Sequence, residues 1–331
     1  MNVKRATHSS LAMLVALASV LRFAGARAED NLLDDMPITQ QLVEAHKDDA
    51  GSSAEPADIP VSTDWRKLTD IPLVKEENQY IALFSNLPAE KRKSILKTMD
   101  ALAAALKKIH LDPLLQTLPY THQFVIVDDH DKFQAFAEVL LKKKVRFGWH
   151  FEQWYDEFKQ GTAVADCERY FVVADAEMLG PELLPYCCSS FGFMLSSEAA
   201  NSRAPYWLNH AFGQFCERLA SGQNTNAAVG TLIDWQKFDR DWNKEIAAAL
   251  KNNSVKSWNE ILTKDSGQLQ GVDLLTTYSI VEFLITTSSD KFIQFLSNAR
   301  NGSKLPAALE QAYEHTPAEL EKQWKEWALK R

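Results

Sequence analysis

The sequence predicts an α+β fold, in which a small β-sheet with its helices is followed by a mainly helical half. Two observations predict it. Before residue 180, short runs rich in β-branched and aromatic residues alternate with amphipathic stretches. From Leu183 onward, one segment after another has the apolar spacing of a helix. We therefore expect the folded part to comprise an α/β half, 61–180, and a helical half, 181–331.

The first half contains two predicted helices and two predicted strands. Lys91–Ile109 has helical periodicity, and a second amphipathic helix follows Asp131. Phe124–Asp128 and Tyr170–Val173 have the composition of strands. The residues expected to face the core are Ile95, Met99, Leu102, Ala103 and Leu106 in the first helix, and Phe133, Phe136, Val139 and Leu140 in the second.

Seven helices are predicted in the second half. Pro205 suits the start of one of them, and Ser289 with Asp290 suits the start of another. Thr316 suits a helix cap, because Pro317 follows it and Glu319 lies three residues beyond it. The predicted helices span 182–199, 205–220, 232–251, 272–286, 290–299, 305–313 and 317–329.

Residues 1–28 have the pattern of a signal peptide. Lys4 and Arg5 precede the apolar run Leu11–Val20, and Ala26–Ala28 forms a small-x-small cleavage site. An uncleaved membrane anchor fits less well, because this run is short and Arg22 interrupts it. The sequence thus predicts an exported protein, periplasmic or extracellular, with no integral membrane segment after cleavage. Residues 29–60 are acidic and lack a sustained apolar period, which predicts a flexible linker.

The charge balance excludes one class of partner. Residues 1–28 hold four of the 36 basic residues and none of the 44 acidic ones, so their removal changes the net charge from −8 to −12. A phosphate-rich partner would be repelled by such a field. We therefore expect no nucleic-acid binding.

The four cysteines allow two interpretations. Export would place Cys167, Cys187, Cys188 and Cys216 in an oxidising compartment, where one or two disulfides can form. A bond between the adjacent Cys187 and Cys188 would be strained, so a bridge would join one of them to Cys167 or Cys216. Alternatively, all four are small buried hydrophobic residues. The sequence alone does not choose between these interpretations.

The segment Ala204–Glu217 carries a resemblance to a known family. It reads Ala-Pro-Tyr-Trp-Leu-Asn-His-Ala-Phe-Gly-Gln-Phe-Cys-Glu. In the peptidase-MA-like gluzincins, which are zincin metallopeptidases, a helix begins Pro-x-Trp-Leu-x-Glu-Gly-x-Ala-x-Tyr-x-Glu, and its first Glu is the third zinc ligand. His210 stands at the position of that ligand. The positions that fit the pattern are Pro205, Trp207, Leu208, Phe215 and Glu217.

Three later segments support the resemblance. Ser257–Leu262 resembles a short leucine-rich turn of the family, and Tyr278–Leu284 resembles a helix whose Tyr faces the active site. The tail from Phe292 to Trp327 follows the pattern of the family's end. The resemblance extends from about Val61 to the end and implies a zincin-like fold.

The chain departs from the family where the metal would bind. No His-Glu-x-x-His occurs in the 331 residues. In active members this motif places two imidazoles on one helical turn and a carboxylate beside the zinc-bound water. Aligned with the family, Tyr186 and Ser190 stand at the two His positions, and Cys187 stands at the Glu. The resemblance therefore implies a degenerate member with no catalytic residue, no metal and no cofactor.

These departures predict a non-catalytic homologue. The abandoned cleft would be lined by Tyr186, Cys187, Ser190, His210 and Tyr278, and it would bind an extended peptide or protein segment or form part of a scaffold. An alternative is a hydrolase that uses a non-standard metal or thiol site, made by Cys187 or Cys188 with His210. A third possibility is a structural protein whose cleft is filled by side chains.

Two further motifs have ordinary explanations. Gly148–Phe158 concentrates aromatic and acidic residues, which can form a sugar- or peptide-binding ridge but more often pack in a core. Asp128–Asp131 includes a histidine between acidic residues directly after a strand, which favours a turn and a helix cap.

Overall fold

A mixed sheet of five strands organises the first half of the chain in the computed structural model. The structure describes residues 63–116, 121–142, 165–167, 171–222, 224, 241–264, 269 and 271–331, all of which belong to one compact unit. The predicted signal peptide, the acidic linker, the segment Gly148–Phe158 and residues 232–240 of one predicted helix lie outside these ranges. The strands are β1 (Val74–Glu77), β2 (Ile81–Ser85), β3 (His122–Val127), β4 (Ala165–Cys167) and β5 (Phe171–Asp175).

The strands are arranged in the order β1-β2-β3-β5-β4, with the three central strands parallel and the two edge strands antiparallel to their neighbours. Every residue of β2, β3 and β5 is buried. Strands that are buried on both sides belong to a sheet whose two faces are covered, and the structure has such a sheet.

Alternate side chains of the central strands point into two different cores. Leu83 and Phe124 lie in the larger core, together with α1 (Ala89–Lys108). Phe84 and Val125 lie in a smaller core on the other face, together with α3 (His130–Lys142). The period of two along a strand explains this division. The short helix α2 (Asp112–Gln116) follows α1 and joins the larger core.

The second half is helical, as predicted. The helices pack mainly on the face of the sheet that α1 covers, and they share the larger core with it. None of the described helices is both long and apolar enough to cross a bilayer. The helices after β5 are α4 (Ala176–Leu179), α5 (Leu183–Ala199), α6 (Tyr206–Ser221), α7 (Trp242–Lys251), α8 (Trp258–Leu262), α9 (Val272–Thr287), α10 (Ser289–Arg300), α11 (Leu305–Tyr313) and α12 (Pro317–Ala328).

The predicted α+β architecture is confirmed, and the boundaries differ by a few residues. The predicted strand Phe124–Asp128 begins earlier, at His122, and ends at Val127. The other predicted strand extends to Asp175. All five residues expected on the core face of α1 are buried, and in α3 Val139 is only partly buried whereas its three predicted companions are fully buried.

The predicted cap of α12 is confirmed in detail. The Thr316 hydroxyl accepts a hydrogen bond from the backbone N–H of Glu319, and the Glu319 carboxylate accepts one from the backbone N–H of Thr316. Further along α12, the Trp324 indole donates to the Ser279 hydroxyl of α9 over 3.0 Å. The last helix is thus fixed at its start by a capping box and in its middle by a buried polar contact. For α10, the capping side chain is Ser288, one residue before the predicted Ser289.

Candidate functional site

Two antiparallel helices, α5 and α6, carry four of the five residues that were predicted to line a cleft. They approach closely because glycine lies at two points of their contact. A Cβ at Gly213 would lie only 2.5 Å from the Ser189 carbonyl oxygen, and a Cβ at Gly192 would lie 2.7 Å from the Cys216 sulfur. Ordinary side chains at these positions would separate the helices, so the small residues determine the spacing.

Polar side chains cross the same contact. The Ser196 hydroxyl donates to Asn209 Oδ1 over 2.9 Å, and Gln214 Nε2 donates to the Ser189 hydroxyl over 3.5 Å. All four side chains are buried. Buried hydrogen bonds of this kind define which residues of the two helices face each other.

The three residues at the positions of the missing metal motif are all on α5 and all buried. Tyr186 is 5% exposed, Cys187 is 0% exposed and Ser190 is 2% exposed. The structure thus brings them together on one helix, as the sequence predicts. Side chains this inaccessible contact protein atoms on nearly all sides, which is the environment of a packed core.

Burial disfavours the thiolate form of both cysteines of α5. Burial raises the pKa of Cys187 well above its ordinary value, and the neighbouring Cys188 adds to the effect. Burial together with the Glu217 carboxylate raises the pKa of Cys188 to about 12. A nucleophilic cysteine requires the opposite shift, because the thiolate is the reacting species.

His210 lies in an aromatic environment. Its ring is 4.2 Å from that of Tyr206 and 5.0 Å from that of Phe193, measured between centroids. Phe193 is three residues beyond Ser190 on α5, and Tyr206 is at the start of α6. His210 is partly buried, so these rings cover much of its surface.

Tyr278 belongs to a different set of contacts, on α9. Its ring meets that of Trp242 edge-on, with 5.1 Å between centroids. Burial, followed by the charge of Glu282, raises the pKa of Tyr278, whereas the positive charges of Arg218 and Arg331 oppose this rise. Arg331 in turn pairs with Glu282 over 2.8 Å. Tyr278 thus packs on Trp242 near the Arg331–Glu282 ion pair, whereas His210 packs on the rings of Tyr206 and Phe193.

Four of the five residues that fit the family pattern are buried, and the fifth, Pro205, is partly buried. Trp207, Leu208 and Phe215 are buried in the larger core, and Glu217 is fully buried beside them. The short helix α8 coincides with the predicted leucine-rich turn and is closed by a capping box between Ser257 and Glu260. Packing and helix capping are therefore sufficient to explain why these residues occur at these positions.

Three of the four cysteines are free and buried: Cys187, Cys188 and Cys216. The side chain of Cys167 lies outside the described part of the chain. Their burial is compatible with both interpretations, because a disulfide formed during folding would be buried at the same place.

No three His, Cys, Asp or Glu side chains converge to hold a metal ion within the described ranges. Two acidic residues near Cys188 and Tyr278, namely Glu217 and Glu282, have buried side chains. The sequence singled out Glu217 only as a position that fits the family pattern, and it did not single out Glu282. Their helical spacing from apolar neighbours could have indicated burial, but the charge of the side chain argued against it.

A cluster of hydrogen-bonded polar side chains lies where the parallel strands β3 and β5 end. His130 Nδ1 is 2.6 Å from Asp175 Oδ2, and the other oxygen of Asp175 accepts from the backbone N–H groups of Glu177 and Met178. Asp129 accepts from the backbone N–H of Lys132 at the start of α3. The predicted turn and cap at Asp128–Asp131 is thereby confirmed.

Comparison of the chain with known protein families, with curated proteins and with solved structures finds no significant match. The gluzincin interpretation consequently depends on the sequence motifs themselves.

Proposed function

We propose that this chain is an exported, non-catalytic relative of the gluzincin metallopeptidases that acts as a scaffold or binding module for an extended peptide or protein segment. The proposal includes a zincin-like arrangement, in which α5 and α6 are the two helices that would carry the metal ligands in an active member. Of the two forms of the proposal, the scaffold with a packed cleft is favoured over an open peptide-binding cleft.

The burial of Tyr186, Cys187 and Ser190 is the observation that carries the proposal. An open cleft would leave the side chains that line it in contact with solvent, whereas at most 5% of the surface of any of these three is exposed. Once imidazoles and a carboxylate have been replaced by a phenol, a thiol and a hydroxyl, nothing requires water or substrate to reach the site. Such positions can then contribute to the core.

The thiol alternative has less support. A hydrolase that used Cys187 or Cys188 with His210 would need an accessible thiol of lowered pKa. Both pKa values are raised, and the described ring contacts of His210 are with Phe193 and Tyr206. These observations favour a structural role for both thiols.

Zinc content and peptidase activity test the proposal directly. The purified chain is equilibrated with zinc and desalted, and its metal content is measured by mass spectrometry alongside cleavage of an unstructured protein such as casein. We expect substoichiometric zinc and no cleavage above the rate of a blank. Stoichiometric zinc that is lost in His210→Ala and kept in His315→Ala would contradict the proposal, since His315 is an exposed histidine of the same chain.

Rebuilding the family motif separates the two forms of the proposal. The triple substitution Tyr186→His, Cys187→Glu and Ser190→His would place His-Glu-x-x-His on α5. Because the three positions are buried, we expect a large loss of thermal stability and no gain of zinc. A folded variant that binds one zinc per chain would instead support an open cleft with gluzincin geometry, and would contradict the packed scaffold.

Export is tested by the N-terminus of the protein recovered from its native cells. Cleavage after Ala28 gives a chain that begins at Glu29. A recovered chain that still begins with Met1 would contradict this part of the proposal.

A further inference from the structure

Two cysteines on neighbouring helices face each other across the contact between α5 and α6. Cys188 lies four residues before Gly192, so the two share one face of α5. A Cβ at Gly192 would lie 2.7 Å from the sulfur of Cys216 and 2.8 Å from its Cβ. The face of α5 that carries Cys188 is therefore the face that packs against Cys216.

The pairing of the two helices gives the level of each cysteine along the helix axes. The contacts Ser196–Asn209 and Ser189–Gln214 show that α5 and α6 run antiparallel. Cys188 lies one residue before Ser189 and Cys216 lies two residues after Gln214, so the two cysteines are at about the same level along the helix axes. Together with the face defined by Gly192, this level places Cys188 next to Cys216.

The electrostatic neighbours agree with this geometry. After burial itself, the charge of Cys188 is the cause that raises the pKa of Cys216. For Cys188, the charge that raises the pKa after burial is that of Glu217, the residue next to Cys216. Each residue of the pair thus has its chief electrostatic neighbour on the opposite helix.

Cys187 points in another direction. Consecutive helical residues are about 100° apart around the axis, and Cys187 shares its face of α5 with Phe191. The ring of Phe191 contacts Tyr80 and His122, with centroids 6.3 and 6.1 Å away, at the strands of the sheet. Cys187 consequently belongs to the side of α5 that faces the sheet.

We propose that Cys188 and Cys216, and not Cys187, form a disulfide that joins α5 to α6 when the chain folds in an oxidising compartment. This inference rests on the export that forms part of the proposed function. The structure shows the pair in its reduced form.

The bond would form by exchange with a protein disulfide or with glutathione disulfide. The thiolate of one cysteine attacks a sulfur of the oxidant and displaces one thiol of the oxidant. The thiolate of the other cysteine then attacks the resulting mixed disulfide and displaces the second thiol of the oxidant. Two cysteine thiols are oxidised to one disulfide, the oxidant is reduced to two thiols, and the two protons go to the departing sulfurs. Cys216 is 0% exposed and Cys188 is 2% exposed in the folded chain, so the exchange takes place during folding, before the pair is buried.

Refolding of the full-length chain in a glutathione redox buffer tests the pairing. The chain is reduced and denatured, refolded, acid-quenched, alkylated under denaturing conditions and weighed by mass spectrometry. The wild type, Cys167→Ser and Cys187→Ser should each take up two fewer alkyl groups than their fully reduced forms. Cys188→Ser and Cys216→Ser should lose this difference, and reduction of the wild type should lower its Tm by roughly 5–10 °C.

Two results would overturn the pairing: full alkylation of the refolded wild type, or a disulfide peptide in Cys188→Ser that links Cys187 to Cys216. Peptide mapping of the wild type requires no variant, so it remains decisive if a substituted chain fails to fold. The refolding experiment is also independent of where the protein resides. A Cys188–Cys216 disulfide in the refolding experiment, together with an uncleaved N-terminus in cells, would support the pairing and contradict export.

Discussion

Replacing Gly213 with alanine tests the close contact between α5 and α6, on which the candidate site depends. The added methyl would lie 2.5 Å from the Ser189 carbonyl oxygen and 3.0 Å from its hydroxyl oxygen. The carbonyl belongs to the backbone of α5, so relief requires the helices to move apart. Overpacking of this kind costs about 3 kcal/mol at the upper end of its usual range. The better helix propensity of alanine returns about 1 kcal/mol, which leaves a net loss of about 2 kcal/mol.

Equilibrium unfolding in urea measures this loss as a change in the midpoint at constant slope. Ala101→Ser, on the exposed face of α1, serves as the control and should change the free energy of unfolding by no more than about 0.5 kcal/mol. An equal or greater stability of Gly213→Ala would refute the reasoning, because alanine stabilises a helix wherever its methyl has room.

Three further substitutions have defined outcomes. Hydrogen bonds from the backbone and hydroxyl of Thr316 lower the pKa of Glu319. The ionised Glu319 carboxylate therefore stabilises the fold above its ordinary pKa of about 4.5, and this stabilisation is lost as the pH falls through the lower pKa of the folded state. The fall in Tm from pH 6 to pH 3 should consequently be smaller in Glu319→Gln than in the wild type. Asp175→Ala removes a fully buried carboxylate that caps α4 and holds His130, and should cost about 3 kcal/mol by urea unfolding. Ser202→Gly should stabilise the chain by about 0.5–1 kcal/mol in the same assay, because Ser202 has φ +56°, where glycine has no steric penalty.

Each of these predictions has a matched comparison. Glu326→Gln, exposed on the same helix as Glu319, should leave the fall of Tm with pH as in the wild type. Asp175→Asn keeps an oxygen for the cap and should cost less than alanine; equal losses would show that the cap contributes nothing. A destabilised Ser202→Gly would mean that the serine side chain contributes more than its backbone strain costs.

Regular periodicity and capping signals were sufficient to locate most elements from the sequence. Apolar residues at helical spacing correctly placed α1 and its core face, because one side of that helix packs on the sheet while the other meets water. Thr316 and Glu319 located the start of α12 to the residue, since a capping box is a local interaction. These are features that a few neighbouring residues specify among themselves.

The strands were harder to predict from the sequence than the helices. β1 and β2 were overlooked, although Ile81–Ser85 is a short apolar run typical of a strand buried on both faces. The edge strand β1 consists of Val74, Lys75, Glu76 and Glu77, whose composition gives no strand signal. Such a strand forms because β2, which follows it after a short turn, offers it hydrogen-bonding partners, and its own composition does not reveal that pairing.

The sequence by itself determined that the chain lacks His-Glu-x-x-His, that its first half mixes strands and helices, and that its second half is helical. Those conclusions need only residue identity and local periodicity. Only the tertiary structure decided that Tyr186, Cys187 and Ser190 are buried, that His210 contacts the rings of Tyr206 and Phe193, and that the face of α5 with Gly192 packs against Cys216. The reason is that burial and facing depend on how closely two helices approach, and here that distance follows from glycines 21 residues apart in the chain, Gly192 and Gly213.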